Sequence, residues 1–308
     1  MEPDLELEQA MPNTVNFQVA FKQSMRVGEC PLWHPDEAAL YWVDIDGKAI
    51  HRLRPADGSH RSWPMPSEPA AIARCASGGL MVALRAGFAH LNTKTGKLAP
   101  VASAPYDTAT TRFNDGRCDT AGRFWVGTLY EPRDRQLGAM YCLERGMVRT
   151  AWEGGITVSN GLAFSPDNRI LYHADTTAHT LYQRDFDLAT GDAGQPRIFR
   201  QFSADRTKDY SGRPDGAAVD SEGAYWCAMF DGGRLLRLAP DGTILREIAL
   251  PLRCPTMIAF GGDDLRTLYV TSASQNRSAE ELARYPLSGC VLSMRVDVPG
   301  RIEPAYRD

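Results

Sequence analysis

Three oxygen-bearing side chains stand at matching places in a repeated pattern. They are Glu29 in Gly28-Glu29-Cys30-Pro31-Leu32-Trp33, Asn160 in Ser159-Asn160-Gly161-Leu162, and Asp215 in Arg213-Pro214-Asp215-Gly216. Each opens an apolar stretch that leads into a strongly apolar strand. Asn-Gly and Asp-Gly are also ordinary turn dipeptides, and either one alone reads equally well that way. Three in register, one of them a glutamate, point instead to a shared site. Two carboxylates and an amide oxygen form a hard ligand set, suited to one divalent cation with water completing its shell. Ca²⁺, Zn²⁺, Mn²⁺, Mg²⁺ and Fe²⁺ all fit such chemistry.

Other chemistries lack their residues. There is no Gly-x-Ser-x-Gly elbow, no His-Glu-x-x-His, no phosphate-cradling glycine loop and no dinucleotide fingerprint. The six histidines have no metal spacing, and the seven cysteines are scattered without a Cys-x-x-Cys pair, so neither a disulfide framework nor a zinc–thiolate site is expected. Arg112, in Arg112-Phe113-Asn114, reads as a planar donor near the same site, useful against a carbonyl or a cluster of hydroxyls. Its bland alternative is a surface arginine beside a turn.

The elements that must position these groups are short strands. Leu40-Tyr-Trp-Val, Leu80-Met-Val-Ala, Phe124-Trp-Val-Gly, Leu171-Tyr-His-Ala, Tyr225-Trp-Cys-Ala and Leu268-Tyr-Val-Thr are each announced by a turn such as Pro35-Asp36-Glu37 or Pro166-Asp167-Asn168. Ahead of them stand Glu29, Glu68, Asn114, Asn160, Asp215 and Thr256 in turn. A repeat of about 40–50 residues built from short strands is a propeller signature. The expectation is an all-β, six-bladed β-propeller of four-stranded antiparallel blades around a central channel, a single domain over residues 14–308. Val15 to Phe21 should pair with the C-terminal strands and close the ring. Ser203 to Pro214 reads as a surface loop near the site, and Ser278 to Tyr285, the one short helical candidate, as a loop.

Charge is nearly balanced, 34 basic against 38 acidic residues, with no basic patch carrying interleaved aromatics. Nucleic acid and membrane partners are therefore not expected. Residues 1–13 are acidic, lack the basic start and apolar core of a signal peptide, and read as a disordered tail. A cytoplasmic protein, monomeric or weakly homo-oligomeric, is the expectation.

From Phe21 to Asp297 the chain resembles the senescence marker protein 30/gluconolactonase/luciferin-regenerating-enzyme family, which includes regucalcin. The resemblance rests on Gly28-Glu29-x-Pro31-x-Trp33, Tyr41-Trp42-Val43-Asp44-Ile45, Arg112-Phe113-Asn114-Asp115-Gly116, Ser159-Asn160-Gly161-Leu162, Pro214-Asp215-Gly216 and Phe260-Gly261-Gly262-x-x-Leu265-x-x-Leu268-Tyr269-Val270-Thr271, all in order. It implies a six-bladed propeller with Glu29, Asn160 and Asp215 as metal ligands, Asp215 also transferring the proton, and Arg112 and Asn114 binding a sugar. The activity implied is metal-dependent hydrolysis of a sugar lactone, an aldonolactone such as glucono-, xylono- or arabinonolactone, to the aldonic acid. The alternatives are a non-enzymatic calcium-regulatory propeller and a hydrolase of other esters. Three departures stand out. Cys30 replaces the usual glycine after the metal-binding glutamate. Glu131 falls one place short of a family substrate contact, with Pro132 at the matching position. Glu68 replaces a small residue, adding a carboxylate that could face the sugar.

Overall fold

Residues 16–208 and 210–308 are described by the structure, a computed structural model; the tail expected over residues 1–13 lies outside them, as does Val15. The chain forms six antiparallel sheets arranged as a six-bladed β-propeller. The innermost strands are Gly28–His34, Pro69–Arg74, Thr111–Cys118, Ser159–Phe164, Arg213–Val219 and Pro255–Gly261, which define blades one to six in that order. Five blades have four strands, and blade four carries an additional two-residue strand, Asp192–Ala193. Blade six is completed by the other end of the chain: Gln18–Phe21 pairs with Val291–Arg295 in the register Gln18↔Ser293 and Val19↔Leu292. That pairing closes the ring and covers the free edge of Val291–Arg295, leaving Gln18–Phe21 as the blade's outer strand.

Burial falls outward along each blade, which explains the sequence pattern. In blade one the second strand, Ala39–Asp44, is buried at every residue, whereas the outermost, Ser59–Pro64, buries only Trp63. Inner strands packed on both faces need continuous apolar runs; outer ones need only one wet face. Two blades repeat one polar device inside this core. Trp125 Nε1 donates to Asp119 at 2.8 Å and Trp226 Nε1 to Asp220 at 2.8 Å, each aspartate also taking an arginine, Arg123 and Arg237. A buried indole N–H thereby finds an acceptor, and the acceptor a cation.

Every inner strand slips register against its neighbour by a bulge at the same depth. The slip follows Glu29 and Asn160 and encloses Asn114, Asp215 and Thr256. A bulge re-aims the side chain beside it, and here it does so five times toward one axis. In blade two the slip falls at Ala70, not at Glu68, so the repeat alignment was offset there by two residues.

Residues Ser278 to Tyr285 are not a loop. Ala279–Arg284 is a short α-helix whose N-cap Ser278 accepts from the Glu281 N–H. Ser-x-x-Glu is a capping sequence, and it outweighs the shortness of the apolar pattern.

The C-terminal segment seals the end of the channel away from these bulges. It runs beneath the turns that follow the inner strands, bonding Ser221 N to Pro299 O (2.9 Å), Gly300 N to Leu265 O (2.8 Å), Tyr306 N to Arg74 O (2.7 Å) and Arg307 N to Gly122 O (2.9 Å). Glu303 pairs with the buried Arg117 at the axis, and the Tyr306 ring is 1% exposed, its hydroxyl accepting from Gly146 N. Tyr306→Ala should lower unfolding stability by about 3–5 kcal/mol, the usual loss for a large buried aromatic. Urea unfolding measures it, and a loss under about 1 kcal/mol would show that the segment merely rests on the ring.

Candidate active site

The open end of the channel widens into a cavity of about 430 Å³. Glu29, Arg112, Asn114, Glu131, Asn160 and Asp215 all line it, coming from blades one, three, four and five. Glu68 does not. It sits outside, salt-bridged to Arg85 Nε at 3.1 Å and Lys48 at 3.7 Å. Glu131 reaches the wall but is held by the same arginine, at 2.6 Å and 3.0 Å.

A single chain of hydrogen bonds orients the amides. Arg112 Nη1 donates to Asn114 Oδ1 (2.8 Å), Asn114 Nδ2 to Asn160 Oδ1 (2.8 Å), Asn160 Nδ2 to Thr176 Oγ1 (2.8 Å), and Thr176 Oγ1 to the Pro214 carbonyl (2.8 Å). Its two ends settle its direction, because a guanidinium can only donate and a carbonyl can only accept. Asn160 Oδ1 is thus fixed as the amide atom facing Asn114, with its second lone pair available. Thr176 was not foreseen from sequence, where nothing distinguishes it from other strand-end threonines.

The backbone beside two of these groups is unusual. Gly161 has φ +62°, and a Cβ there would stand 2.4 Å from the Tyr225 hydroxyl, which itself donates to Gly161 O. Cys30 occupies the equivalent place in blade one and adopts the same left-handed region at φ 44°. A non-glycine residue there costs about 1–2 kcal/mol. Its thiol is wedged against Ile72, with Ile72 N 3.3 Å from Sγ, while its N–H donates to Glu29 Oε2 at 2.9 Å. The departure noticed in the sequence is therefore a strained residue that holds the glutamate.

Glu29 and Asp215 are 7% and 6% exposed, yet no side chain donates a hydrogen bond to either carboxylate among the described residues. Burial raises the Glu29 pKa well above the usual carboxylate range, and the charges of Asp215 and Asp115 push it further. Asp215 is likewise raised by burial and by Asp115, with Arg213 and Arg112 acting against the shift. Asp115 lies below them, accepting the Leu162 N–H at 2.8 Å, with its other oxygen buried and unpartnered. Negative charge here has too few partners, and a cation is what would balance it. The donors present, two carboxylates and an oriented amide oxygen, fit a hard divalent ion. No cluster of three His, Cys, Asp or Glu side chains forms a metal site among the described residues, because the third donor here is an amide.

Two aspartates of the turn after Ala39–Asp44 separate cleanly. Asp44 accepts from the backbone of Arg26, Val27 and Gly47, and so ties a turn, whereas Asp46 lines the cavity. Arg213, Phe230 and Arg277 also line it and had escaped sequence reading, because their blades meet only in three dimensions.

A six-bladed propeller with oxygen donors at one mouth of its axis defines a broad class of hydrolases and metal-binding proteins. The sequence narrows it: residues 27–274 match the model of the SMP-30/gluconolactonase/LRE-like region, and the chain belongs to that family. It is 49% identical to the 6-deoxy-6-sulfogluconolactonase of Pseudomonas putida, over 92% of this chain and 96% of that one. It is 35% identical to a pentonolactonase of Haloferax volcanii, over 92% and 95% of the two chains. Among solved structures, regucalcin of Agrobacterium tumefaciens, described as a calcium-binding protein, superimposes with a TM-score of 0.90 at 28% identity, covering 96% of this chain and 98% of that one.

Folding places two under-compensated carboxylates at the axis, so a raised carboxylate pKa weakens the protein above that pKa and the effect disappears as pH falls through it. At neutral pH, CaCl₂ or MnCl₂ should raise the melting temperature of the metal-stripped protein. Glu29→Gln should remove most of that rise while raising the melting temperature of the stripped protein itself. An undiminished cation-dependent rise in Glu29→Gln would exclude Glu29 as a ligand.

Proposed function

We propose that this protein is a metal-dependent lactonase that opens a sugar lactone to the aldonic acid. The observation that carries the reading is the meeting of Glu29, Asn160 and Asp215 with Arg112 and Asn114 in one cavity, in a chain 49% identical to a sulfogluconolactonase. Glu29, Asn160 and Asp215 would hold a divalent cation. Bound there, it supplies Lewis-acid stabilisation of charge on the lactone carbonyl oxygen.

The chain's own residues provide the rest. Asp215 is the general base: its carboxylate takes a proton from the attacking water and returns one to the ring oxygen as the acyl–oxygen bond breaks. Arg112 presents fixed N–H groups to sugar hydroxyls because one edge is anchored on Phe113 O and Asn114 Oδ1. Asn114 sets Asn160, so its loss would disturb both sugar and cation. The closed far end of the channel leaves the cavity mouth as the route for substrate and water.

A purely cation-binding role uses the same three ligands but gives Asp215 no proton to move. The two are separated by following acid release from a panel of glucono-, xylono- and arabinonolactone, with and without chelator. Wild-type protein should release acid above the spontaneous rate and lose that activity with chelator. Asp215→Asn should remain about 10²–10⁴-fold slower even at saturating cation, as expected for a lost general base. Near-wild-type turnover of Asp215→Asn at full occupancy would leave it a ligand only.

A further inference from the structure

One wall of the cavity carries more arginine than the reaction uses. Arg206, Arg213, Arg253 and Arg277 all gather around Asp231, at 3.2, 3.6, 3.7 and 2.7 Å. Among the described residues, the only other acid in contact with this group is Glu281, 3.5 Å from Arg277 and 4.0 Å from Arg253. Four guanidiniums against two carboxylates leave two positive charges in excess among the described residues. Asp231 itself stays ionised: burial acts to raise its pKa, but the Arg206 hydrogen bond and the Arg277 and Arg213 charges hold it below the ordinary value.

Two of the four face the cavity. Arg213 and Arg277 both line it, and both lie over the same ring, Phe230, at 5.0 Å and 5.7 Å from its centroid. Their donors are under-used. Arg213 Nη2 stands 3.6 Å from Asp231, longer than a hydrogen bond, and the guanidinium reaches no acceptor among the described residues. Arg277 spends Nη1 on Asp231, and its Nη2 has no acceptor among the described residues. Two forks fixed on one aromatic plate, with spare N–H groups, are preorganised for an oxyanion. Arg213 also precedes Asp215 by two residues on the same strand, one pleat repeat from the proposed reaction centre.

We propose that Arg213 and Arg277 form an anion subsite that binds a sulfonate or phosphate carried by the sugar lactone at the end away from its carbonyl. The proposal rests on the lactonase reading and adds to it the substrate class. Arg112 and Asn114 face the ring from blade three, and the arginine pair takes the far substituent from blades five and six. Neutral aldonolactones fill the cavity but leave these donors unpaired, so the anionic substrate is preferred.

Calorimetry with gluconates bearing a hydroxyl, a sulfonate or a phosphate at carbon 6 tests the subsite, because the three differ only there. With cation present, the gluconate bearing the sulfonate or the one bearing the phosphate should bind about 10–100-fold tighter than plain gluconate, the scale of charge-assisted hydrogen bonds. Which anion leads identifies the group. Arg277→Gln should reduce that advantage about 10-fold, Arg277→Lys should restore part of it, and added salt should erode it. Equal binding of all three by the wild type, or an advantage that persists in Arg277→Gln, overturns the subsite. Acid release from the three matching lactones is measured in parallel. Absence of turnover on every lactone defeats the lactonase reading, while the calorimetry still decides the subsite.

Discussion

Glu29 and Asp215 are carboxylates that folding withdraws from water without giving either a hydrogen-bonded cation among the described residues. Such burial costs several kcal/mol per ion unless something compensates, and a protein has easier ways to fill a channel. The surrounding structure makes sense as the means of holding that charge in place. Five of the bulges aim polar side chains at the axis, and a directional chain from Arg112 to Pro214 fixes the amide oxygen that joins the carboxylates. Cys30 accepts a left-handed backbone so that its N–H can steady Glu29. The C-terminal segment closes the opposite end, keeping the charge pocket open on one side alone.

Much of this was legible in the chain because a propeller is local. Each blade is a run of hairpins, so turns such as Pro35-Asp36-Glu37 and apolar strands such as Leu40-Tyr-Trp-Val report directly on the fold. The ring converts equal sequence positions into spatial neighbours, which is why Glu29, Asn160 and Asp215 could be grouped before any coordinates. The same reasoning misplaced Glu68. A bulge shifts register by one residue without a sequence mark, and blade two reaches its slip at Ala70, leaving Glu68 to pair with Arg85 outside the cavity.

What was not legible depends on contacts between blades. Thr176 matters only because Asn160 and Pro214 flank it, and Arg277 only because Phe230 and Asp231 come from another blade. The helix at Ala279–Arg284 is a different case: its Ser278-x-x-Glu281 cap was visible, but the apolar period was too short to draw attention. That helix now supports the arginine wall through Glu281, so a segment read as a passive loop adjoins the site.

In the function proposed above, one divalent cation resolves the charge at the axis through Glu29, Asn160 and Asp215. Crystals grown with MnCl₂ and measured with X-rays at the manganese absorption edge test it directly. One anomalous peak is expected in the cavity, about 2.0–2.6 Å from a carboxylate oxygen of Glu29, Oδ1 of Asn160 and a carboxylate oxygen of Asp215. A peak bound elsewhere, or an axis that takes up no manganese while both carboxylates rest on water, would contradict it.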